Sequence, residues 1–233
     1  MNWDNTERFA QWNGAISNRE SKEAVARQIA EHVRDGDVIG VGSGSTAYLA
    51  VLAIAERVRR EKLRVSAVCT SAEVTLACAA NGIPVTTLLQ SRPDWYFDGA
   101  DEVDPRRNMI KGRGGAMYLE KVIMDAAPKT YILVDRSKLV EKLGQKFAVP
   151  VELLPDALHL VERELLRIGA TDVALRLAVK KDGPVITASG NFILDVKFGE
   201  IRPTMEREIK TITGVVESGL FMGRDIEVVL PAE

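Results

Sequence analysis

The sequence predicts an α/β fold, a parallel sheet with helices on both faces, joined to a smaller α+β region. Three observations carry this. Strand-like and helix-like runs alternate from Ser21 to Val134. A Gly/Ser-rich loop sits between the first strand and the helix that follows it. Hairpin signals appear only after Pro150.

The elements follow in order. Val25, Ala26, Ile29, Ala30 and Val33 recur at helical spacing within Ser21 to Val33. Asp35-Gly36-Asp37 stops that helix, and Val38 to Gly42 reads as a buried strand. A second helix runs from about Ser45 to Arg60, a strand from Val65 to Cys69, and a helix from Ser71 to Asn81-Gly82. Val85 to Leu89 and Trp95 to Phe97 are short strands. Met117 to Ala127 is a helix closed by Pro128, and Tyr131 to Val134 is a strand. Beyond Pro150 the expected elements are a helix over Leu158 to Ile168 and strands over Val173 to Val179, Val185 to Thr187 and Phe192 to Val196. A helix over Met205 to Thr211 follows. Asp182-Gly183-Pro184 and Ser189-Gly190-Asn191 are the turn signals. The expected division is a main domain of residues 1–148 plus 215–233 and a smaller one of 149–214.

Composition excludes several classes. The chain has 233 residues, 46% apolar and 27% charged, which does not fit a disordered, collagen-like or coiled-coil protein. Net charge is −2, so a basic nucleic-acid binder is not expected. Cys69 and Cys78 lack further partners, so no disulfide scaffold is expected and a reducing compartment fits; scattered with His32 and His159, they do not supply a Cys₄ or Cys₂His₂ zinc site at the usual spacings. The N-terminal stretch has no apolar h-region, and the long uncharged runs are broken by Gly, Ser, Asn or Pro. No membrane association and a cytoplasmic setting are expected. His32, His159, Trp3, Trp12, Trp95, Cys69 and Cys78 read as packing or surface residues.

Two motifs carry chemistry. Gly40-Val41-Gly42-Ser43-Gly44-Ser45-Thr46-Ala47 joins a strand to a helix, where free N–H groups and hydroxyls attract an anion. It lacks the Gly-Lys-Ser/Thr of a Walker A loop. A monophosphate, a dinucleotide and a structural turn all remain open, although Cys69-Thr70-Ser71 offers no acid to a ribose hydroxyl. The second motif places Asp98, Asp101, Glu102 and Asp104 within seven residues, ahead of Lys111, a glycine-rich turn and a helix bearing Glu120. Clustered carboxylates suit proton transfer, and a lysine beside them can stabilise a developing oxyanion. A solvated acidic loop or an Mg²⁺ site is the plainer reading.

These residues resemble ribose-5-phosphate isomerase type A. The likeness rests on Gly40 to Ala47, Thr70-Ser71, Asn81 to Val85, Asp98 to Pro105, Ile110 to Ala116 and Glu120-Lys121. It continues through Asp135 to Val140, Pro150 to Glu152, Gly190 to Asp195 and Gly214 to Phe221. The resemblance implies a Rossmann-like main domain, a smaller ferredoxin-like domain, a homodimer or homotetramer, and interconversion of D-ribose 5-phosphate and D-ribulose 5-phosphate without metal or other cofactor. By position, Glu120 resembles the base that moves a proton between C2 and C1 through a cis-enediolate. Lys111 resembles the residue that stabilises the enediolate oxygens, and Asp98 and Asp101 the acids near the sugar hydroxyls, Asp98 being tied to ring opening. Lys22, Ser43, Gly44, Ser45, Thr46, Gly112, Gly114 and Lys138 match substrate- or phosphate-binding positions.

The sequence departs from the family pattern at Arg113, where glycine is usual, at Leu119, where Arg is common, and at Ala188-Ser189, where Asp usually precedes the Gly-Asn turn. Isomerisation of another aldose or ketose phosphate is the alternative these departures raise. A non-catalytic sugar-phosphate sensor and a nicotinamide-dependent oxidoreductase are the others. About 20 residues precede the first core helix, so the helix-turn-helix of a regulator is not expected there.

Overall fold

A computed structural model describes residues 5–232 of the chain. Trp3 lies outside the described residues. In chain order the first elements are α1 (Thr6–Phe9), α2 (Arg19–Ala30), β1 (Val38–Val41), α3 (Gly44–Glu61), β2 (Ser66–Cys69), α4 (Ala72–Ala80), β3 (Val85–Thr86) and β4 (Trp95–Asp98). They are followed by β5 (Glu102–Val103), β6 (Met109–Ile110), α5 (Met117–Ala126), β7 (Thr130–Leu133) and β8 (Val149–Leu153). The last are α6 (Leu158–Arg167), β9 (Ala170–Leu175), β10 (Phe192–Phe198), α7 (Met205–Lys210), β11 (Val215–Ser218), β12 (Leu220–Phe221) and β13 (Glu227–Val229).

Two compact units emerge. One comprises Met1–Gly99, Leu119–Ser137 and Asp225–Glu233, the other Ala100–Tyr118 and Lys138–Arg224. The first contains a six-stranded sheet ordered β3-β2-β1-β4-β7-β13, with every pairing parallel. Strand order reverses between β1 and β4, the arrangement of a Rossmann sheet. Alternation along β1 places helices on both faces. Ile39 and Val41 join Val25, Ile29, Ala50 and Ile54 of α2 and α3 in the core. Gly40 faces the other way, where an added Cβ would lie 2.9 Å from Ile123 of α5 and from Tyr96. Each fully buried aliphatic side chain of this kind stabilises the unit by about 1.5–3 kcal/mol.

The second unit contains β8-α6-β9-β10-α7-β11, whose strands form an antiparallel sheet ordered β11-β8-β10-β9. That connectivity is ferredoxin-like. Val149, Val151, Leu153, Leu194 and Val196 meet Val161, Leu165, Met205 and Ile209 of its helices. A three-stranded sheet, β12-β6-β5, also belongs to this unit. So residues 100–118, 138–148 and 215–224 pack with the second unit, whereas the sequence boundaries grouped them with the main domain.

Local expectations shift in three places. The strand expected over Val85 to Leu89 stops at Thr86, because Gln90 and Ser91 N–H groups turn back to the Thr87 carbonyl. The strand expected over Val185 to Thr187 is absent, since the Thr187 hydroxyl turns inward to a buried carboxylate of Glu152, 2.7 Å away. The expected strand over Val173 to Val179 starts earlier and ends at Leu175, leaving a single bridge between Leu177 and Pro184.

Candidate functional site

In the first unit the carboxyl ends of β1 and β4 lie side by side, where open α/β sheets bind ligands. β1 feeds the loop Gly42-Ser43 and the eighteen-residue helix α3, whose first turn carries no acidic residue. Ser43 is the N-cap, but its hydroxyl does not close the helix end; it pairs with Thr70 Oγ1 at 2.6 Å. Thr70 also donates to the Val41 carbonyl, which anchors the loop to the end of β2. The α3 N-terminus therefore keeps backbone N–H groups available to an anion. Gly44 adopts a φ of +87°, which a side chain would strain. Buried Lys22 reaches from α2 to donate to Ser45 Oγ at 3.0 Å and Ser17 Oγ at 3.3 Å. Thr46 stands beside Gly99.

Asp98, at the end of β4, is 1% exposed. Its Oδ1 accepts from Ser43 N–H at 3.1 Å and Gly99 N–H at 2.7 Å, and the Tyr96 hydroxyl donates to Oδ2. Tyr96 and Asp98 share a strand face by the two-residue period. Burial pushes the Tyr96 phenol well above its usual range, and the nearby charges of Asp98 and Glu120 add to the effect. Tyr96 is thus held protonated as a donor. Glu120, in the first turn of α5, is 4% exposed. Lys22, Ser43, Gly44, Ser45, Thr46, Asp98 and Glu120 all belong to this unit.

Asp101, Lys111, Gly112, Gly114 and Lys138 belong to the second unit. Lys111 is 3% exposed at the end of β6, with its ammonium 5.7 Å from the centre of the Phe221 ring. Gly112 and Gly115 take φ values of +95° and +77°, and the turn they shape leads into α5. Asp101 accepts from the Arg113 N–H at 3.2 Å. The Lys138 ammonium and the Arg113 guanidinium both lie over the Phe147 ring, at 5.4 and 5.3 Å from its centre. Leu119 is half-buried, and Ala188-Ser189 form the turn in which the Gly190 N–H donates to the Thr187 carbonyl.

The four clustered carboxylates have separate fates. Glu102 accepts backbone N–H groups from Gly144, Lys146 and Phe147, and so anchors that loop. Asp104 caps its own turn through Arg106 and Asn108. Among the described residues, no three His, Cys, Asp or Glu side chains converge as a metal-ligand set would. His32 packs tilted against Tyr131 with ring centres 4.6 Å apart, Trp12 packs near Tyr48, Trp95 donates to Asp37, and His159 is exposed. No helix among the described residues is long and apolar enough to cross a membrane.

Sequence reasoning missed Tyr96, Thr70 as a loop anchor, and Arg176. The first could have been found from the i, i+2 relation to Asp98. Arg176 had no local signal. It pairs with Asp195 through Nε and Nη2, and its Nη1 donates to the carbonyls of Gly112 at 2.9 Å and Arg113 at 3.0 Å. The guanidinium thereby braces the turn after Lys111. Arg176→Met is expected to cost about 1–3 kcal/mol, less than a fully buried pair because Asp195 is one-third exposed. Urea denaturation checks this, and part of the loss should be recovered in Arg176→Met/Asp195→Leu.

The first unit is a Rossmann-type α/β unit with a Gly/Ser-rich loop at its switch point. The sequence profile described as ribose 5-phosphate isomerase A (phosphoriboisomerase A) matches residues 66–233. A ribose-5-phosphate isomerase A of Synechococcus sp. is 47% identical over 206 residues, covering 87% of this chain and 88% of the relative. The structure of ribose 5-phosphate isomerase A from Methanocaldococcus jannaschii superposes with a TM-score of 0.90 at 42% identity, covering 93% of this chain and 96% of that one. A D-ribose-5-phosphate isomerase in complex with phospho-erythronic acid gives a TM-score of 0.87 at 41% identity, covering 91% and 94%. The chain belongs to the ribose 5-phosphate isomerase A family.

Proposed function

We propose that the chain interconverts D-ribose 5-phosphate and D-ribulose 5-phosphate through a cis-enediolate, with Glu120 as the base. The observation that supports this most is the gathering, in one unit, of the Gly42 to Thr46 loop, Lys22 and the buried carboxylates Asp98 and Glu120. The relative that carries phospho-erythronic acid, a phosphorylated sugar acid, supports a ligand of the same class.

In this reading the loop N–H groups, Ser43, Gly44, Ser45, Thr46 and Lys22 hold the phosphate, with Lys138, Gly112 and Gly114 completing the substrate set. Binding energy spent on the phosphate, remote from the reacting carbons, keeps C1 and C2 in register. Asp98, with its partners fixed, assists ring opening, and Asp101 serves the sugar hydroxyls. The Glu120 carboxylate takes the proton from C2 of the open aldose, and the electron pair moves into the C1–C2 bond while O1 gains negative charge. Lys111 stabilises the enediolate oxygens. Glu120 returns the proton to C1, the O2 proton passes to O1, and the C2 carbonyl of the ketose remains. Aldose and ketose are isomers, so the cycle balances without a redox cofactor. The same reading takes the enzyme as a cytoplasmic homodimer or homotetramer acting on a sugar phosphate.

The test is NMR of D-ribose 5-phosphate with the protein in D₂O and EDTA. Expected is ribulose 5-phosphate carrying deuterium at C1. Absence of conversion by folded protein, with turnover of another aldose phosphate, would transfer the assignment to that sugar and implicate Arg113 first.

A further inference from the structure

The proposed chemistry leaves one reactive pair unused. Cys69, at the carboxyl end of β2, is half-buried, and Cys78 of α4 is buried; both are free thiols. The two sulfurs are 3.8 Å apart, with the thiol hydrogen bond running between them. The side chains bridge a strand end and the helix that follows it, so a bond between them would close a short loop within one unit. The sulfurs must approach to about 2.05 Å for that bond to form. Rotation about the Cα–Cβ bonds moves sulfur by distances of this order.

Reactivity points the same way. Hydrogen bonding with Cys78 and with Thr75 lowers the Cys69 thiol below its usual range, against the opposing effect of burial. The hydrogen bond to Cys69 and burial push Cys78 far up. Cys69, the less buried of the two, is therefore the nucleophile and Cys78 the waiting partner. Position makes the pair consequential. Cys69 precedes Thr70, whose hydroxyl is bonded to Ser43 of the anion loop and to the Val41 carbonyl. Pulling on Cys69 draws on that anchor.

We propose that Cys69 and Cys78 are a dithiol site that hydrogen peroxide converts to an intramolecular disulfide, loosening the Thr70–Ser43 anchor of the phosphate loop. The Cys69 thiolate attacks peroxide, forming an S–O bond as the O–O bond breaks; the departing hydroxide takes up a proton as water. The Cys78 sulfur then attacks the Cys69 sulfenic sulfur. The S–S bond forms, the S–O bond breaks, and the leaving hydroxide takes the Cys78 proton. Two thiols and one peroxide give one disulfide and two waters.

The experiment treats the full chain with hydrogen peroxide and reads intact mass, free thiols after denaturation, and a peptide map. Expected are loss of two hydrogen atoms, loss of both thiols, a Cys69–Cys78 cross-linked peptide, and reversal by dithiothreitol. Cys78→Ala should stop at a Cys69 sulfenic acid that dimedone traps, and Cys69→Ala should leave Cys78 unoxidised. No reaction, oxygen addition at Cys69 without the cross-link, or disulfides between chains would each overturn the site. The coupling to the loop rests on the isomerase reading. It is read as a several-fold higher KM for ribose 5-phosphate in the oxidised protein, restored by dithiothreitol, and an unchanged KM overturns it. If the untreated protein does not turn this substrate over, the isomerase reading fails while the mass measurements still decide the thiol chemistry.

Discussion

Glu120→Gln is expected to lower kcat by at least about 10²–10⁴-fold, the usual worth of a positioned general base. Glutamine keeps the shape and hydrogen-bonding reach of the side chain but cannot take the C2 proton. Since the phosphate contacts assigned to the loop are untouched, KM should change little. An interaction made only in the transition state lowers kcat and kcat/KM together. Deuterium entry at C1 should disappear in parallel with turnover. The side chain is 4% exposed, so the variant must also be compared with wild type by urea denaturation. Glu120→Asp supplies the second arm. It retains the acid but withdraws it by one methylene, and partial activity is expected, since a displacement near 1 Å can cost about 10²-fold. Wild-type turnover in Glu120→Gln, with the fold intact, would sink the assignment of the base.

The sequence made this experiment designable because the relevant signals are local. A strand, a glycine-rich loop and an amphipathic helix are neighbours in the chain, so β1, Gly42 to Thr46 and α3 could be read directly. The strand period that puts Tyr96 on one face with Asp98 was a local signal too, and the sequence reading missed it. What stayed hidden depends on distant partners. The strands β5, β6 and β12 have two residues each and no usable period; they exist because Met109 and Ile110 pair with Phe221 and Leu220 on one side and with Val103 and Glu102 on the other. Four carboxylates looked equivalent, yet the loop near Gly144 captures Glu102 while Asp104 serves its own turn. Arg176 lies more than sixty positions from the carbonyls it binds. Thr187 fitted a strand pattern, but Glu152 and Asn191 claim it for a buried turn.

Gly42→Ala tests how tightly the loop and Asp98 are fitted together. A Cβ on Gly42 would lie 2.1 Å from Asp98 Cγ, 2.2 Å from Oδ1 and 2.4 Å from Cβ. The backbone of Gly42 is not in the left-handed region, so the obstacle is space rather than φ. The obstructing atoms are the root of a buried side chain rather than a flexible tip. Asp98 must therefore withdraw from the Ser43 and Gly99 N–H groups, or the end of β1 must move away from β4. Overpacking of this kind costs about 1–3 kcal/mol. Displacing Asp98 by about 1 Å should lower kcat by about 10²-fold if it acts on the sugar. The decisive comparison is Gly42→Ala in an Asp98→Gly background, which removes those three nearest atoms. There the stability penalty of Gly42→Ala should largely vanish, giving a coupling of the sign and size expected for residues in direct contact. Additive losses across the cycle would mean that the two positions do not share this space.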